Sequence, residues 1–201
     1  MPGEETPEEL AEEFAGQPVI SFATVPDCEA WFREHHGDQR GFWLKIGKAG
    51  AARTVSYAEA LDVALCHGWI DGQKRGYDER YWLQRFTPRG PRSKWSQINR
   101  DKAEALVEAG RMQPAGQAQV DAAKADGRWA AAYAGQKNAT VPDDLAAALA
   151  ADPQAKAFFE TLSGANRYAI LYRVQDAKRP ATRAARIAKF VEMCHRHETL
   201  H

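Results

Sequence analysis

The 201-residue sequence has no paired-cysteine framework: Cys28, Cys66 and Cys194 stand far apart and never form a C-x-x-C pair. An odd, scattered set argues against a secreted disulfide scaffold and for a reducing compartment. The six histidines form no H-E-x-x-H motif, and neither G-x-x-x-x-G-K-[ST] nor G-x-G-x-x-G occurs, so no metal and no cofactor is expected. No run approaches the roughly 20 apolar residues of a membrane span, and the N-terminus lacks a basic stretch followed by an apolar core. A soluble, cytoplasmic protein without a membrane span is therefore expected. Net charge is missing too: 27 Lys and Arg balance 27 Asp and Glu. That removes a global polyanion-binding signature and argues against nucleic acid as a partner.

The zero hides an asymmetry. Residues 1–20 carry Glu4, Glu5, Glu8, Glu9, Glu12 and Glu13 with no Lys or Arg, so the rest of the chain is net basic. A run this polar builds no core of its own and reads as a solvated, disordered acidic tail, with Thr6-Pro7-Glu8-Glu9 fitting a capping box. At 44% hydrophobic content the remainder can bury a core, as one domain or two small ones.

Along the chain, Val25-Pro26-Asp27 leads into a helix with Asp27 read as its N-cap and Gly37 as its end. Gly41 to Ile46 reads as an aromatic strand, and Ser56-Tyr57-Ala58-Glu59 as a capping box opening a helix that Gly68 stops. Trp69 to Gly72 and Tyr81 to Phe86 read as paired strands turning at Gly76 to Glu79. From Ser96 onward the pattern is helical, with starts at Asn99, Pro114, Pro142, Pro153, Ser163 and after Pro180. In the last helix Ile187, Phe190, Val191 and Cys194 form an apolar stripe. The expected fold is α+β: a tail over 1–20, a small α+β domain with a short antiparallel or mixed sheet over 21–110, and an all-helical region over 111–201.

The densest chemical signal lies between Gly68 and Ser96. From Lys74 to Lys102 nine cations (Lys74, Arg75, Arg80, Arg85, Arg89, Arg92, Lys94, Arg100 and Lys102) face only Asp78, Glu79 and Asp101, interleaved with Trp69, Tyr81, Trp82, Phe86 and Trp95. Arginine offers a bidentate fork and aromatic faces offer cation–π contacts, a combination suited to anionic ligands. Trp69, Asp71, Lys74, Arg85, Arg89, Arg92, Ser93, Lys94 and Trp95 are the candidate ligand-binding residues. Asp71, between Ile70 and Gly72 and followed by two cations, reads either as a turn or ion-pair residue or as an acid/base group.

Other clusters carry less. Cys66 and His67 are neighbours on a helix and diverge by about 100°, so they do not make a nucleophile and base. Cys194 belongs to the apolar stripe, and His195 and His197 in a last turn complement the helix dipole rather than marking a metal site. Arg167, Arg173, Lys178, Arg179, Arg183, Arg186 and Lys189 form a second positive region on amphipathic helices, read as a solvated face.

Several segments resemble one bacterial family. Phe42-Trp43-Leu44, Ser56 to Asp62, Gly68-Trp69-Ile70-Asp71-Gly72, Arg85-Phe86-Thr87-Pro88-Arg89, Ser93-Lys94-Trp95-Ser96, Gly110-Arg111-Met112 and Ala165-Asn166-Arg167 are similar to the bacteriocin-protection, or YdeI/OmpD-associated, proteins, in order and over nearly everything after Ser21. The resemblance implies a small α+β N-terminal part and a role in protection against bacteriocins. It carries over no catalytic residue. Two functions follow as expectations. One is a non-enzymatic binding protein that holds an anionic small molecule or protein partner and acts in envelope stress or antimicrobial-peptide tolerance. The other is an enzyme acting on a small anionic substrate, with Asp71 as acid or base and Lys74, Arg85 and Arg89 stabilising charge.

Overall fold

The computed structural model describes residues 12–201. Among them are β1 (Glu13–Phe14), β2 (Gln17–Ile20), α1 (Val25–His35), β3 (Phe42–Gly47), α2 (Tyr57–Cys66), β4 (Trp69–Gly76) and β5 (Tyr81–Pro88), followed by α3 (Gln97–Glu108), α4 (Pro114–Ala125), α5 (Asp143–Ala150), α6 (Pro153–Thr161), α7 (Gly164–Gln175) and α8 (Pro180–His195). The chain divides into two compact units, residues 1–94 with 99–130 and residues 95–98 with 131–201.

The expected fold class needs correcting. The sheet is five-stranded and mixed, in the order β1-β2-β3-β5-β4, with β2 parallel to β3. Two of its strands precede Ser21, inside the stretch read from sequence as an acidic tail. They carry few apolar residues around Gly16 and Pro18, so no period-2 signal announces them. The helices expected in the first half are present as α1 and α2. The stretch 111–201 is not purely helical: Ser96 and Tyr133 form an isolated parallel bridge. The chain is a mixed α+β protein. Those of the acidic residues before Glu12, and the capping box at Thr6, lie outside the described residues.

Local rules explain most helix starts. Thr24, not Asp27, is the N-cap of α1: the Thr24 hydroxyl accepts from the Asp27 amide and the Asp27 carboxylate accepts from the Thr24 amide, so Asp27 closes a capping box from the third helical position. Pro26 fits this register because a first-turn amide needs no helical acceptor. In α2 the expected box is present, with Ser56 and Glu59 exchanging bonds of 3.3 and 2.8 Å. These bonds hold the Glu59 carboxyl below its ordinary range. Gly68, at φ +79°, ends the segment where a Cβ would come within 2.9 Å of the Ala115 carbonyl.

In the first unit, α1 and α2 cover one face of the sheet. Phe32 packs edge-on against Phe42 and Trp69, with ring centroids 5.8 and 5.4 Å apart, and Phe42 stacks on Phe86 at 5.9 Å. Trp69 is 0% exposed, and its indole N–H donates to the His36 carbonyl at 3.0 Å. The apolar body is thus buried while its one polar atom stays satisfied. In the second unit α8 packs against α5, α6 and α7, burying Leu145, Phe159, Ile170, Val174, Phe190 and Cys194 in one core. Arg183 of α8 grips Asp144 of α5 with Nε and Nη2 at 2.5 and 2.9 Å. That bidentate bond draws the Asp144 carboxyl below its ordinary range.

Two outcomes check this description. Trp69→Ala removes a large, fully enclosed ring and lowers unfolding free energy by about 3–5 kcal/mol, read by denaturant titration. Because the folded pKa of Asp144 is depressed, its stabilisation is present above the unfolded carboxylate pKa and is lost as pH falls through the folded value. The melting temperatures of wild type and Asp144→Asn therefore differ at neutral pH and converge on acidification.

Candidate functional site

The ladder between β4 and β5 fixes where each candidate side chain goes. Phe86 pairs with Phe42 on one side and Asp71 on the other, so all three share the helix-covered face. The register shifts between Asp71 and Lys74, leaving an extra residue on β4. Gln84, buried beneath the bulge, donates its amide to the carbonyls of Gly72 and Gln73 at 3.0 and 3.3 Å. The bulge returns Lys74 to the face of Gln84 and Asp71.

At this end of the face a small polar cluster forms within the first unit. The Tyr57 hydroxyl donates to Asp71 Oδ2 at 2.8 Å and Asn99 Nδ2 donates to Oδ1 at 3.1 Å. Both carboxylate oxygens are therefore held by neutral donors from α2 and α3. Beside them the Lys74 ammonium lies 4.2 Å from the centre of the Trp82 ring, which in turn is 6.3 Å from the Tyr57 ring. Tyr57, Trp82 and Asn99 are not among the nine candidate ligand-binding residues, although the sequence marks Tyr57 in a capping box, Trp82 among the interleaved aromatics and Asn99 at a helix start. Tyr57 and Asn99 lie 14 and 28 residues from Asp71, and no spacing rule links such distant positions.

Arg85 belongs to the opposite face. It pairs with Trp43, and its Nε donates to Gln17 Oε1 at 2.9 Å. On this face Phe14 meets Trp43 edge-on at 5.2 Å, and Lys45 pairs with Glu12 at 2.6 Å while its ammonium lies 5.3 Å from the rings of Tyr77 and Tyr81. Tyr77 also donates to Glu12. Glu12, just before β1, thus sits against a basic, aromatic surface.

The loop after β5 is held together by its own cations. Arg89 is only 6% exposed; its amide donates to the Gly68 carbonyl and its Nη1 to the Lys94 carbonyl at 3.2 Å. Gly90 and Ser93 close the turn reciprocally, and Arg128 Nη1 donates to the Ser93 carbonyl at 2.9 Å. Arg92 and Lys94 are exposed, whereas Trp69 and Trp95 are buried. Trp95 belongs to the second unit, where its carbonyl accepts from the Tyr133 amide at 3.0 Å. The nine candidates therefore do not converge: Asp71 and Lys74 come together, Arg85 lies across the sheet, and Arg89 and Ser93 shape a loop whose Arg92 and Lys94 face solvent.

Burial pushes the Cys66 thiol up to about 11 and Cys28 up to about 12, so neither is a thiolate at neutral pH. Burial, with His36 and Arg33 nearby, lowers the His67 pKa. Cys66 and His67 line a cavity of about 170 Å³ with Glu29, Arg33 and Arg111, below the ~300 Å³ of ordinary ligand pockets. His195 Nδ1 lies 2.8 Å from Asp152 Oδ2, and His197 stacks on Phe158. Among the described residues no three potential metal ligands come together, and no helix is long and apolar enough to cross a membrane.

Geometrically, then, the first unit offers an open cation–aromatic surface beside a fixed carboxylate. Comparison with known families divides the chain at a similar place. Residues 20–119 match a domain of unknown function (DUF8412). Residues 138–197 match the family described as Bacteriocin-protection, YdeI or OmpD-Associated. The resemblance seen in the sequence thus holds for the helical segment, while its N-terminal motifs fall in a separately defined domain. No curated protein and no solved structure matches the chain.

Arg89→Ala removes the donor that holds the Lys94 carbonyl and lowers stability by about 1–3 kcal/mol. Arg92→Ala, on the exposed side of the same loop, stays within about 0.5 kcal/mol of wild type. Paired urea titrations check the contrast.

Proposed function

We propose that this chain is a non-enzymatic, cytoplasmic binding protein of the bacteriocin-protection type, which holds an anionic ligand or partner on the basic aromatic hairpin of its first unit and acts in tolerance of envelope-directed antimicrobials. The observation that carries the binding role is the Lys74 ammonium over the Trp82 ring, 4.2 Å from its centre, on a strand whose residues 72–76 are all exposed. A cation held over an aromatic face keeps its charge available to an incoming anion while the ring offers a stacking surface. Arg75 follows on the other side of the strand, and Arg92 and Lys94 extend the positive surface along the loop. Tolerance of antimicrobials rests on the family of residues 138–197. Asp71 supports binding better than catalysis, because donors from Tyr57 and Asn99 engage both of its oxygens. Its role is to orient Tyr57 beside Trp82.

Titration of the full chain with inorganic phosphate and with polyglutamate at low salt tests the proposal. The expected result is movement of the backbone signals of residues 71–76 and of the Trp82 indole signal, weakened several-fold by Lys74→Ala and abolished at high salt. If Lys74→Ala and a Lys74→Ala/Arg75→Ala double variant bind both anions as wild type does, the hairpin is not the site.

A further inference from the structure

We propose a second binding site, independent of the hairpin, for small amphipathic anions: molecules with an apolar body and a carboxylate head. It is a cavity of about 730 Å³ lying wholly within the second unit, between the loop 135–139, Ile98 and the start of α7. This volume falls in the range of about 300–1,000 Å³ typical of small-molecule pockets.

Its lining sorts into a floor and a rim. Leu171, Ala139, the Tyr168 ring and Ile98 provide apolar surface, and Ile98 is 54% exposed, unusual for so large an aliphatic side chain. The Tyr168 hydroxyl is turned away into a 3.0 Å bond to the Ala134 carbonyl, so the residue contributes its ring. The charged lining residues are Lys137 and Arg167, and no Asp or Glu joins them. Arg167 is fixed by Nη2 donating to the Glu160 carbonyl at 2.8 Å and by its position over the Phe159 ring. Neither cation meets a carboxylate among the described residues, and the buried Arg167 Nε has no hydrogen-bond partner there. Gln136 and Asn138 add amide groups at the rim, and Gly164 lets Gln136 approach, since a Cβ there would lie 2.9 Å from its Nε2.

A second large concavity of this unit differs in its charges. That one, of about 620 Å³, is also lined by apolar residues, but its Arg183 is neutralised by Asp144 and Glu192 stands beside it. Of these two cavities, the Lys137/Arg167 one combines an apolar floor with positive charge that meets no carboxylate among the described residues. A small, highly charged anion such as phosphate would leave Ile98 and Leu171 wet, whereas a neutral apolar molecule would leave both cations without a counter-charge. An amphipathic monoanion satisfies both.

Octanoate, with octanol and octylammonium as controls, tests this on the full chain by chemical-shift titration. Octanoate should move the signals of residues 135–139 and 164–171, and octanol should bind there roughly fivefold or more weakly, the effect of one exposed charge interaction. Lys137→Ala, on an exposed loop position, should weaken octanoate roughly fivefold and leave octanol unchanged, while Ile98→Asp should weaken both. Unmoved signals at these positions, or equal affinity for octanoate and octanol in wild type and Lys137→Ala, overturns the proposal. Lys74→Ala should leave octanoate binding intact, so failure here and failure of the hairpin site are read separately.

Discussion

The cross-strand row Phe42, Phe86, Asp71 is the constraint on which the functional geometry of the first unit depends. The aromatic pair must face the helices, because Trp69, Phe32 and Phe42 share one buried cluster. Pleating then leaves no choice for the neighbours. Asp71 follows the phenylalanines onto the helix face and Arg85 is sent to the other side. A register slip of one residue would bury Arg85 against Trp69, at the cost of an unpaired charge in a core. The bulge after Asp71 adds one residue, and that single insertion places Lys74 above Trp82.

The same chemistry that makes a cluster of arginines look like a ligand site also makes it useful for building loops. Arg89 has lost nearly all contact with water and donates to the Lys94 carbonyl in return. Arg85 takes an amide oxygen from Gln17, and Arg128 takes the Ser93 carbonyl. Backbone and amide oxygens satisfy guanidinium donors without a carboxylate, so a local excess of cations does not by itself leave an uncovered field. What remains on the surface is a smaller set, Lys74, Arg75, Arg80, Arg92 and Lys94, presented by a twisted hairpin and a tight turn. In the second unit the arginines of α8 are similarly committed: Arg183 to Asp144, and Arg186 to the Arg173 carbonyl and Asp176. Lys137 and Arg167 differ in that neither meets a carboxylate among the described residues, although Arg167 also donates to the Glu160 carbonyl.

The sequence by itself determined the elements whose causes are local. Ser56 and Glu59 cap α2 because their side chains reach amides three residues away, and Gly68, Gly110 and Gly127 end segments in the left-handed region that other residues avoid. Aromatic enrichment located β3, β4 and β5 to within a few residues, and the basic aromatic stretch identified the surface on which Lys74 lies. Thr24 rather than Asp27 became the N-cap of α1 because a capping box has two polar ends, and either can be mistaken for the cap when only spacing is seen. Tertiary structure alone decided the rest. β1 and β2 owe their existence to pairing with each other and with β3, since their own residues hold too little apolar periodicity to signal a strand. Which cations are buried, which face Arg85 takes, and that Tyr57 and Asn99 converge on Asp71 all depend on contacts between segments distant in the chain. Those contacts follow from sheet register and helix packing, which act across the fold and leave no mark in the spacing of neighbouring residues.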